Sequence, residues 1–174
     1  MSQILPIALL GNPVLSAHSL EVADPRDSKI KTLIEDLLAT MLHLEAVGLA
    51  APQISASVRV FVMRSRKSVR YPDAPDIAPM AVINPRVISA SEKTSRVTEA
   101  CCSIPGYRAM IRRPVAIKSS WLDQEGKAVE AELYDLAGPV FLHELDHLDG
   151  ITFLERLESK LDLAAAEEVD RLTE

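Results

Sequence analysis

A chain of 174 residues, of which 48% are hydrophobic and 25% charged, is long enough to bury a core, and one globular domain over 1–174 is predicted. Its net charge of −6 at pH 7 argues against a protein that binds nucleic acid directly. The first residues lack the basic start and apolar run of a signal peptide, and no apolar run reaches the length of a membrane span. A soluble, cytoplasmic protein without membrane contact is therefore expected.

Residues 4–22 are predicted to form an irregular arm that precedes the first helix. Asp24 is predicted to cap this helix, with Pro25 in its first position. Apolar residues then recur at helical spacing, which predicts an amphipathic helix over residues 26–44. The apolar positions are Ile30, Leu33, Ile34, Leu37, Leu38, Met41 and Leu42.

The segment 46–53 has few bulky or charged side chains. Small residues such as Gly48 let another backbone or a substrate approach closely. Gln53 is the one amide in this segment. On the surface it would have no special role, whereas beside a metal ion its N–H groups could polarise a carbonyl. The segment by itself leaves both interpretations open.

Short strands are predicted over 58–63, 80–83 and 87–90, with a break at Asn84-Pro85. Residues 64–79, which carry several basic residues and prolines, are predicted to form an exposed loop without a binding role. A hairpin is predicted over 117–121 and 129–134, around the turn at 123–126.

The two cysteines, Cys101 and Cys102, are adjacent, and a relaxed structural disulfide between neighbouring residues is not expected. A thiolate is a strong ligand for zinc or ferrous iron. Both cysteines could instead be small buried hydrophobic residues. The chemistry of the sequence alone does not decide which of the two would bind a metal ion.

The run His143-Glu144-Leu145-Asp146-His147 lies in a helix predicted over 136–147 and ended by Gly150. Two histidines four residues apart share one helix face, so both can reach one metal ion. Glu144, about 100° around the helix, could take a proton from water at that ion without being a ligand. With Cys101 as a third ligand, one position stays open, which is typical of catalytic sites. A last helix is predicted over 155–172.

Three stretches together, in order and spacing, resemble the peptide deformylases: Gly48-Leu49-Ala50-Ala51-Pro52-Gln53, Glu99-Ala100-Cys101-Cys102-Ser103 and His143-Glu144-Leu145-Asp146-His147. The resemblance implies an α+β fold in which antiparallel β-sheets pack around a central metal-binding H-E-x-x-H helix, with an N-terminal helix and a C-terminal helix. It also implies hydrolytic removal of the N-formyl group from the first methionine of newly made polypeptides, with release of formate.

By position, the resemblance implies roles for individual residues. Cys101, His143 and His147 match the metal ligands, and Glu144 matches the general acid and base. Gln53 and the backbone N–H of Cys102 match the donors that hold the oxyanion. The remaining matches are substrate contacts at Gly48 and Arg108, and positions around the methionine pocket at Val47, Val97, Leu136 and Val140.

The resemblance implies one divalent metal ion per chain, with Fe²⁺ in the active form. Zn²⁺, Ni²⁺ or Co²⁺ could replace it, since this ligand set does not select strictly among them. The implied partners are N-formyl-methionyl nascent peptides. A transient contact with the ribosome would follow from such an activity, although no residue identifies it.

Four residues depart from the family's usual pattern: Ala46 and Ala100 replace Gly, Cys102 replaces Leu, and Leu142 replaces Gln. The ligands, the base and the oxyanion residue remain, so an active enzyme with altered efficiency is expected. A deacylase with shifted acyl preference, or a degenerate relative that binds metal or formyl-peptide without turnover, is the alternative. An H-E-x-x-H metallopeptidase with a ligand such as Glu167 is a further alternative.

Overall fold

A computed structural model describes residues 2–67 and 74–173 of the chain. Within them, the α-helices are α1 (Ser28–His43), α2 (Ala137–Leu148) and α3 (Ala166–Thr173). The strands are β1 (Gly48–Ala50), β2 (Val60–Ser65), β3 (Ile77–Ala90), β4 (Thr94–Cys101), β5 (Ile104–Pro114), β6 (Ala116–Leu122), β7 (Ala128–Tyr134) and β8 (Leu163–Ala165).

The strands form two sheets. One sheet has five strands in the order β1-β2-β3-β6-β7, and the other has three in the order β4-β5-β8. The paired strands within both sheets run antiparallel. The expected α+β class with antiparallel sheets, an N-terminal helix and a C-terminal helix is therefore confirmed.

Helix α1 begins later than predicted. Asp27, and not Asp24, is its N-cap, since the Asp27 side chain accepts a hydrogen bond from the Lys29 N–H at 2.8 Å. The Asp24 carbonyl instead accepts from the Asp27 N–H at 3.2 Å, so Pro25 lies in a turn ahead of the helix. Most of the predicted apolar face packs in a core against β1 and β2, with Ile34, Leu37 and Met41 fully buried, whereas Leu42 is exposed.

The predicted break at Asn84-Pro85 is wrong, because β3 runs through both residues as one strand. Asn84 has a φ of +50°, and the pairing register with β6 shifts between Ile83 and Arg86. The Asn84 side chain accepts from the Val22 N–H at 2.9 Å and donates to the Val22 carbonyl at 2.8 Å. The Asn-Pro pair is therefore an irregularity within a strand, held by the N-terminal arm.

The loop predicted over 64–79 is too long at both ends, because Arg64 and Ser65 belong to β2 and β3 begins at Ile77. Arg64 is half-buried, and its Nε donates to the Ala46 carbonyl at 2.8 Å. Arg70 and Pro72 of this prediction lie outside the described residues. The β6–β7 hairpin is confirmed, whereas β5 was not predicted.

The helix predicted over 155–172 is wrong except for its last turns, which form α3. Thr152 and Ser159 each cap a short 3₁₀ turn, over Phe153–Arg156 and Lys160–Asp162. The next residues form β8, which pairs with β5. Leucines at helical spacing occur here, but the capping side chains and the free edge of β5 stabilise other local structures.

Helix α2 packs against strands of both sheets, namely β1, β2 and β7 of the larger and β5 of the smaller. Phe141 contacts Phe61 edge to face, with ring centroids 5.2 Å apart. Pro139 is the third residue of α2, where its missing N–H costs no hydrogen bond within the helix. Across the described residues, none of the helices is both long and apolar enough to cross a lipid bilayer.

Candidate metal centre

Three predicted ligands converge between the two sheets. Cys101 ends β4, and His143 and His147 lie one turn apart on α2. One donor atom from each lies within 4.8 Å of the others, and all three residues are buried. Cys101 Sγ is 3.2 Å from His147 Nε2. The spacing of the two histidines and the position of Cys101 at a strand end thus produce one compact donor set.

The two imidazoles differ in protonation. His143 Nδ1 lies 2.8 Å from Glu99 Oε2, which orients the ring. Burial opposes protonation of His143, but hydrogen bonds with Cys101 and Glu99 outweigh it and raise the His143 pKa well above its ordinary value, so a metal ion would have to displace a proton from this ring. Burial opposes ionisation of Glu99, but hydrogen bonds from His143 and Arg113 outweigh it and lower the Glu99 pKa to about 2. Burial lowers the pKa of His147 to about 3, which keeps that ring neutral.

A buried ion network behind the ligands was not foreseen from the sequence. Arg113 donates to both oxygens of Glu99, at 2.7 and 3.1 Å, and to Asp146 Oδ2 at 2.8 Å. Arg156 Nη2 donates to the other oxygen of Asp146 at 2.6 Å. Asp146 lies within the histidine motif, but no local pattern identifies Arg113 as its partner, because the two are joined only by folding.

Glu144 lies beside the donor set with its carboxyl group buried. Burial raises its pKa to about 7; nearby His143 opposes the rise, and Glu99 adds to it. Among the described residues, its Oε2 has no hydrogen-bond partner. A Cβ added at Gly48 would be 2.3 Å from Glu144 Oε1. The missing side chain of Gly48 therefore makes the space that this carboxylate occupies.

Gln53 is buried in a 3₁₀ turn over Ala51–Ile54, so its interpretation as a surface residue is wrong. Its Oε1 accepts from the Ala50 N–H at 2.8 Å. Its Nε2 lies 3.5 Å from Cys101 Sγ. Cys102, next to that ligand, is half-buried, and burial, followed by the charge of Glu144, raises the pKa of its thiol to about 11.

A cavity of about 900 Å³ opens beside these groups. Its described lining includes nearly every predicted site residue, with His147 lying behind it: Val47, Gly48, Gln53, Val97, Cys101, Cys102, Arg108, Leu136, Val140, His143 and Glu144. The structure thus brings together residues from four separate stretches of the chain, namely 47–53, 97–102, 108 and 136–144. Their individual roles remain predictions, since proximity alone does not assign them.

Three of the four residues that differ from the usual family pattern also line this cavity. Ala46 and Ala100 line it with Cys102, whereas Leu142 packs on the core that contains Trp121. Neither alanine has a positive φ, so the backbone does not need glycine at either place. Both alanines therefore line the cavity with backbone conformations that any residue can adopt.

The donor set fits a divalent transition metal. One thiolate and two imidazoles leave a fourth position open. Two polar atoms here, Glu144 Oε2 and His147 Nδ1, are buried without a protein partner among the described residues. Glu167, the alternative ligand of a metallopeptidase, lies exposed on α3, and Phe153 is buried where a third histidine would stand in the longer metzincin pattern. Cys101 is thus the third donor of this set.

Comparison with known proteins agrees with this geometry. A family model described as polypeptide deformylase matches residues 4–162. The chain is 39% identical over 170 residues to Peptide deformylase 2 of Nostoc sp., covering 98% of this chain and 95% of the relative. It is also 39% identical over 152 residues to Peptide deformylase 2 of Shewanella oneidensis, covering 87% and 83% of the two chains.

Solved structures give the same result. The Met-Ala-Ser-bound class I type b peptide deformylase from Acinetobacter baumannii superposes with a TM-score of 0.86 at 34% identity, covering 90% of this chain and 100% of that chain. Peptide deformylase from Thermotoga maritima gives a TM-score of 0.80 at 35% identity, covering 90% and 99%. The family resemblance of the three motifs is confirmed, and this chain belongs to the peptide deformylase family of hydrolases.

Proposed function

We propose that this protein removes the N-formyl group from the first methionine of newly made polypeptides and releases formate, with residues 1–174 as one catalytic domain. The observation that carries the proposal is the placement of Glu144. Its carboxyl group lies in a cavity beside three buried side chains that could hold a metal ion, and one of its oxygens has no hydrogen-bond partner among the described residues. Membership of the peptide deformylase family supports the same activity.

Cys101, His143 and His147 would hold one divalent ion, which makes α2 the metal-binding helix between the two sheets. When bound, such an ion polarises a carbonyl oxygen and lowers the pKa of water. Fe²⁺ is proposed for the active form, and Zn²⁺, Ni²⁺ or Co²⁺ can bind the same donors. The Glu99 contact keeps the His143 ring oriented for this role.

Three further groups have separate roles in the proposed hydrolysis: Glu144, the Gln53 amide and the backbone N–H of Cys102. Glu144 takes a proton from the attacking water and later gives it to the leaving amine. The Gln53 amide and the Cys102 backbone N–H donate to the oxygen on which negative charge develops. Both donors adjoin Cys101, and we propose that the formyl carbonyl binds beside them.

The cavity also suits a peptide whose first side chain is apolar. Strand β1 is an edge of the larger sheet, so a substrate can bind alongside Gly48 as an added strand. Val47, Val97, Leu136 and Val140 offer the methionine side chain an apolar pocket. Arg108 lines the same cavity and can contact the peptide further along. The Acinetobacter baumannii relative with bound Met-Ala-Ser supports binding of such a peptide.

This substrate places the protein in the cytoplasm, where nascent chains leave the bacterial ribosome. A transient ribosome contact is proposed from the activity alone. The substituted positions Ala46, Ala100 and Cys102 line the cavity, and they are the places where acyl preference or efficiency would differ from relatives.

The test is formate release from a short formyl-methionyl peptide, with protein loaded with Fe²⁺ under anaerobic conditions or with Ni²⁺. We expect Glu144→Gln to lower kcat by roughly 10²- to 10⁴-fold while the metal content stays the same, because the variant keeps the shape but loses the base. Glu132→Gln, the same change on an exposed residue of β7, is the matched control and should leave kcat unchanged.

The other outcomes separate the alternatives. A stoichiometric metal without formate release in the unmodified protein would favour the degenerate binder. Release of other acyl groups but not formate would favour a shifted deacylase. Cleavage within an unformylated peptide would favour a metallopeptidase.

A further inference from the structure

The Gln53 amide is held by hydrogen bonds to both of its polar atoms. Its Oε1 accepts from the Ala50 N–H at 2.8 Å, and its Nε2 donates to Ser103 Oγ at 3.3 Å. Nε2 carries two hydrogens. With one directed at Ser103, the second donates to Cys101 Sγ at 3.5 Å, on the wall of the cavity that Gln53 and Cys101 both line.

Ser103 does not contact the cavity itself. It is fully buried, with 0% of its surface exposed, and it lies outside the described cavity lining. It occupies the tight turn between β4 and β5, directly after Cys102. Its hydroxyl can therefore influence a reaction only through the groups it touches, of which the Gln53 amide is one.

The N-terminal arm joins the same two segments through its backbone. The Ala8 N–H donates to the Gln53 carbonyl at 2.8 Å, and the Leu10 N–H donates to the Ser103 carbonyl at 2.9 Å. Two arm residues, separated by Leu9, thus hold the segment that carries Gln53 and the segment that carries the Cys102 N–H. These two backbone hydrogen bonds of the arm and the Ser103–Gln53 hydrogen bond together fix the two proposed oxyanion donors relative to each other.

We propose that Ser103 is a positioning residue, which orients the Gln53 amide so that one N–H is available to the oxyanion. The inference rests on the proposed deformylase function and adds to it. Removal of the hydroxyl leaves a buried amide hydrogen without an acceptor. The amide then tilts to find another partner, and stabilisation of the transition state falls while binding of the peptide is unaffected.

The experiment is a double-mutant cycle on formate release. We expect Ser103→Ala to lower kcat about five- to tenfold with KM within about twofold, the effect of one lost hydrogen bond in the transition state. In a Gln53→Ala background the same change should cost less than about twofold, because its target is already gone. Ser119→Ala is the matched control, since Ser119 is equally buried and its hydroxyl has no partner among the described residues.

A second readout, by NMR, does not depend on activity. In spectra of zinc-loaded, ¹⁵N-labelled protein, the side-chain amide signals of Gln53 are identified as those that are absent from the spectrum of Gln53→Ala. These signals should shift in Ser103→Ala and stay in place in Ser119→Ala. Unchanged Gln53 signals, or an equal loss of kcat in both backgrounds, would overturn the positioning role alone. An unmodified protein that releases no formate would overturn the proposed function and this inference with it.

Discussion

Gly48 on β1 has no side chain, and the proposed base Glu144 occupies the space that a side chain would fill. The family resemblance implies a substrate contact at Gly48, and small residues also let another backbone approach closely. The structure adds a different close approach, since the nearest atoms to a Cβ at this place are the Glu144 Oε1, Cδ and Cγ, at 2.3 to 2.8 Å. The absence of a side chain at Gly48 thus makes room for Glu144 of α2, in addition to its proposed contact with substrate.

Gly48→Ala should therefore displace the Glu144 carboxylate and lower kcat by about 100-fold, since a shift of about 1 Å in a catalytic group has that order of effect. Metal content should stay stoichiometric, because the added methyl group meets Glu144 and not the three ligands. Formate release and metal analysis on the same sample measure both. Activity within about threefold of the unmodified protein would mean that the base does not depend on this contact.

At the scale of elements, the N-terminal arm matters more than its irregular structure indicates. The turn over 9–12 is closed by the Asn12 N–H, which donates to the Leu9 carbonyl at 3.0 Å, and Gly11 has a φ of +97°. With a negative φ at Leu10, this is a type II turn, which favours proline in its second position. The arm can therefore be altered there without a change of turn geometry.

Leu10→Pro should remove one hydrogen bond, from the Leu10 N–H to the Ser103 carbonyl, while it keeps the turn. We expect kcat to fall about three- to fivefold, with a change in unfolding free energy below about 1 kcal/mol. Leu10→Ala, which keeps the N–H, controls for the loss of an exposed side chain. The same kcat in both variants would mean that the hydrogen bond from Leu10 to Ser103 does not help to position the oxyanion donors.

At the scale of the whole molecule, one buried ion network joins the smaller sheet to α2 and to the chain after it. Arg113 on β5 connects Glu99 on β4 with Asp146 on α2, and Arg156 reaches Asp146 from the following 3₁₀ turn. Glu99 also holds His143. The packing of the smaller sheet against α2 and the orientation of His143, a proposed metal ligand, thus both depend on the guanidinium group of Arg113.

Replacing Arg113 by methionine should leave buried Glu99 with His143 as its only described partner and Asp146 with Arg156 alone, at a cost of about 3–5 kcal/mol in unfolding free energy. Metal affinity should fall about 10- to 100-fold, as the group behind His143 is disturbed. Urea unfolding and competition titration with zinc measure the two effects. Arg112→Met is the control, because its partner Glu158 is exposed and water replaces the pair; comparable losses in both variants would contradict the argument.

The sequence by itself predicted the two histidine ligands and the base from local chemistry, and its three motifs predicted the family, which is confirmed. The choice of Cys101 over Cys102 as the third proposed ligand came only from the family resemblance. Two histidines at i and i+4 share a helix face whatever surrounds them. Helix α1 and the β6–β7 hairpin were predicted for a similar reason, since periodicity and turn residues act over short distances. The segment 155–172 shows the limit of such rules, because β8 takes its extended form from its pairing with β5.

Only the tertiary structure decided which distant groups would support the site. The Arg113 network, the Ser103–Gln53 bond and the fit of Glu144 against Gly48 join residues that lie 14 to 96 positions apart in the chain. No periodic pattern spans such separations. The physical reason is that a buried polar group must find its partner in space, and folding alone sets which donors and acceptors meet.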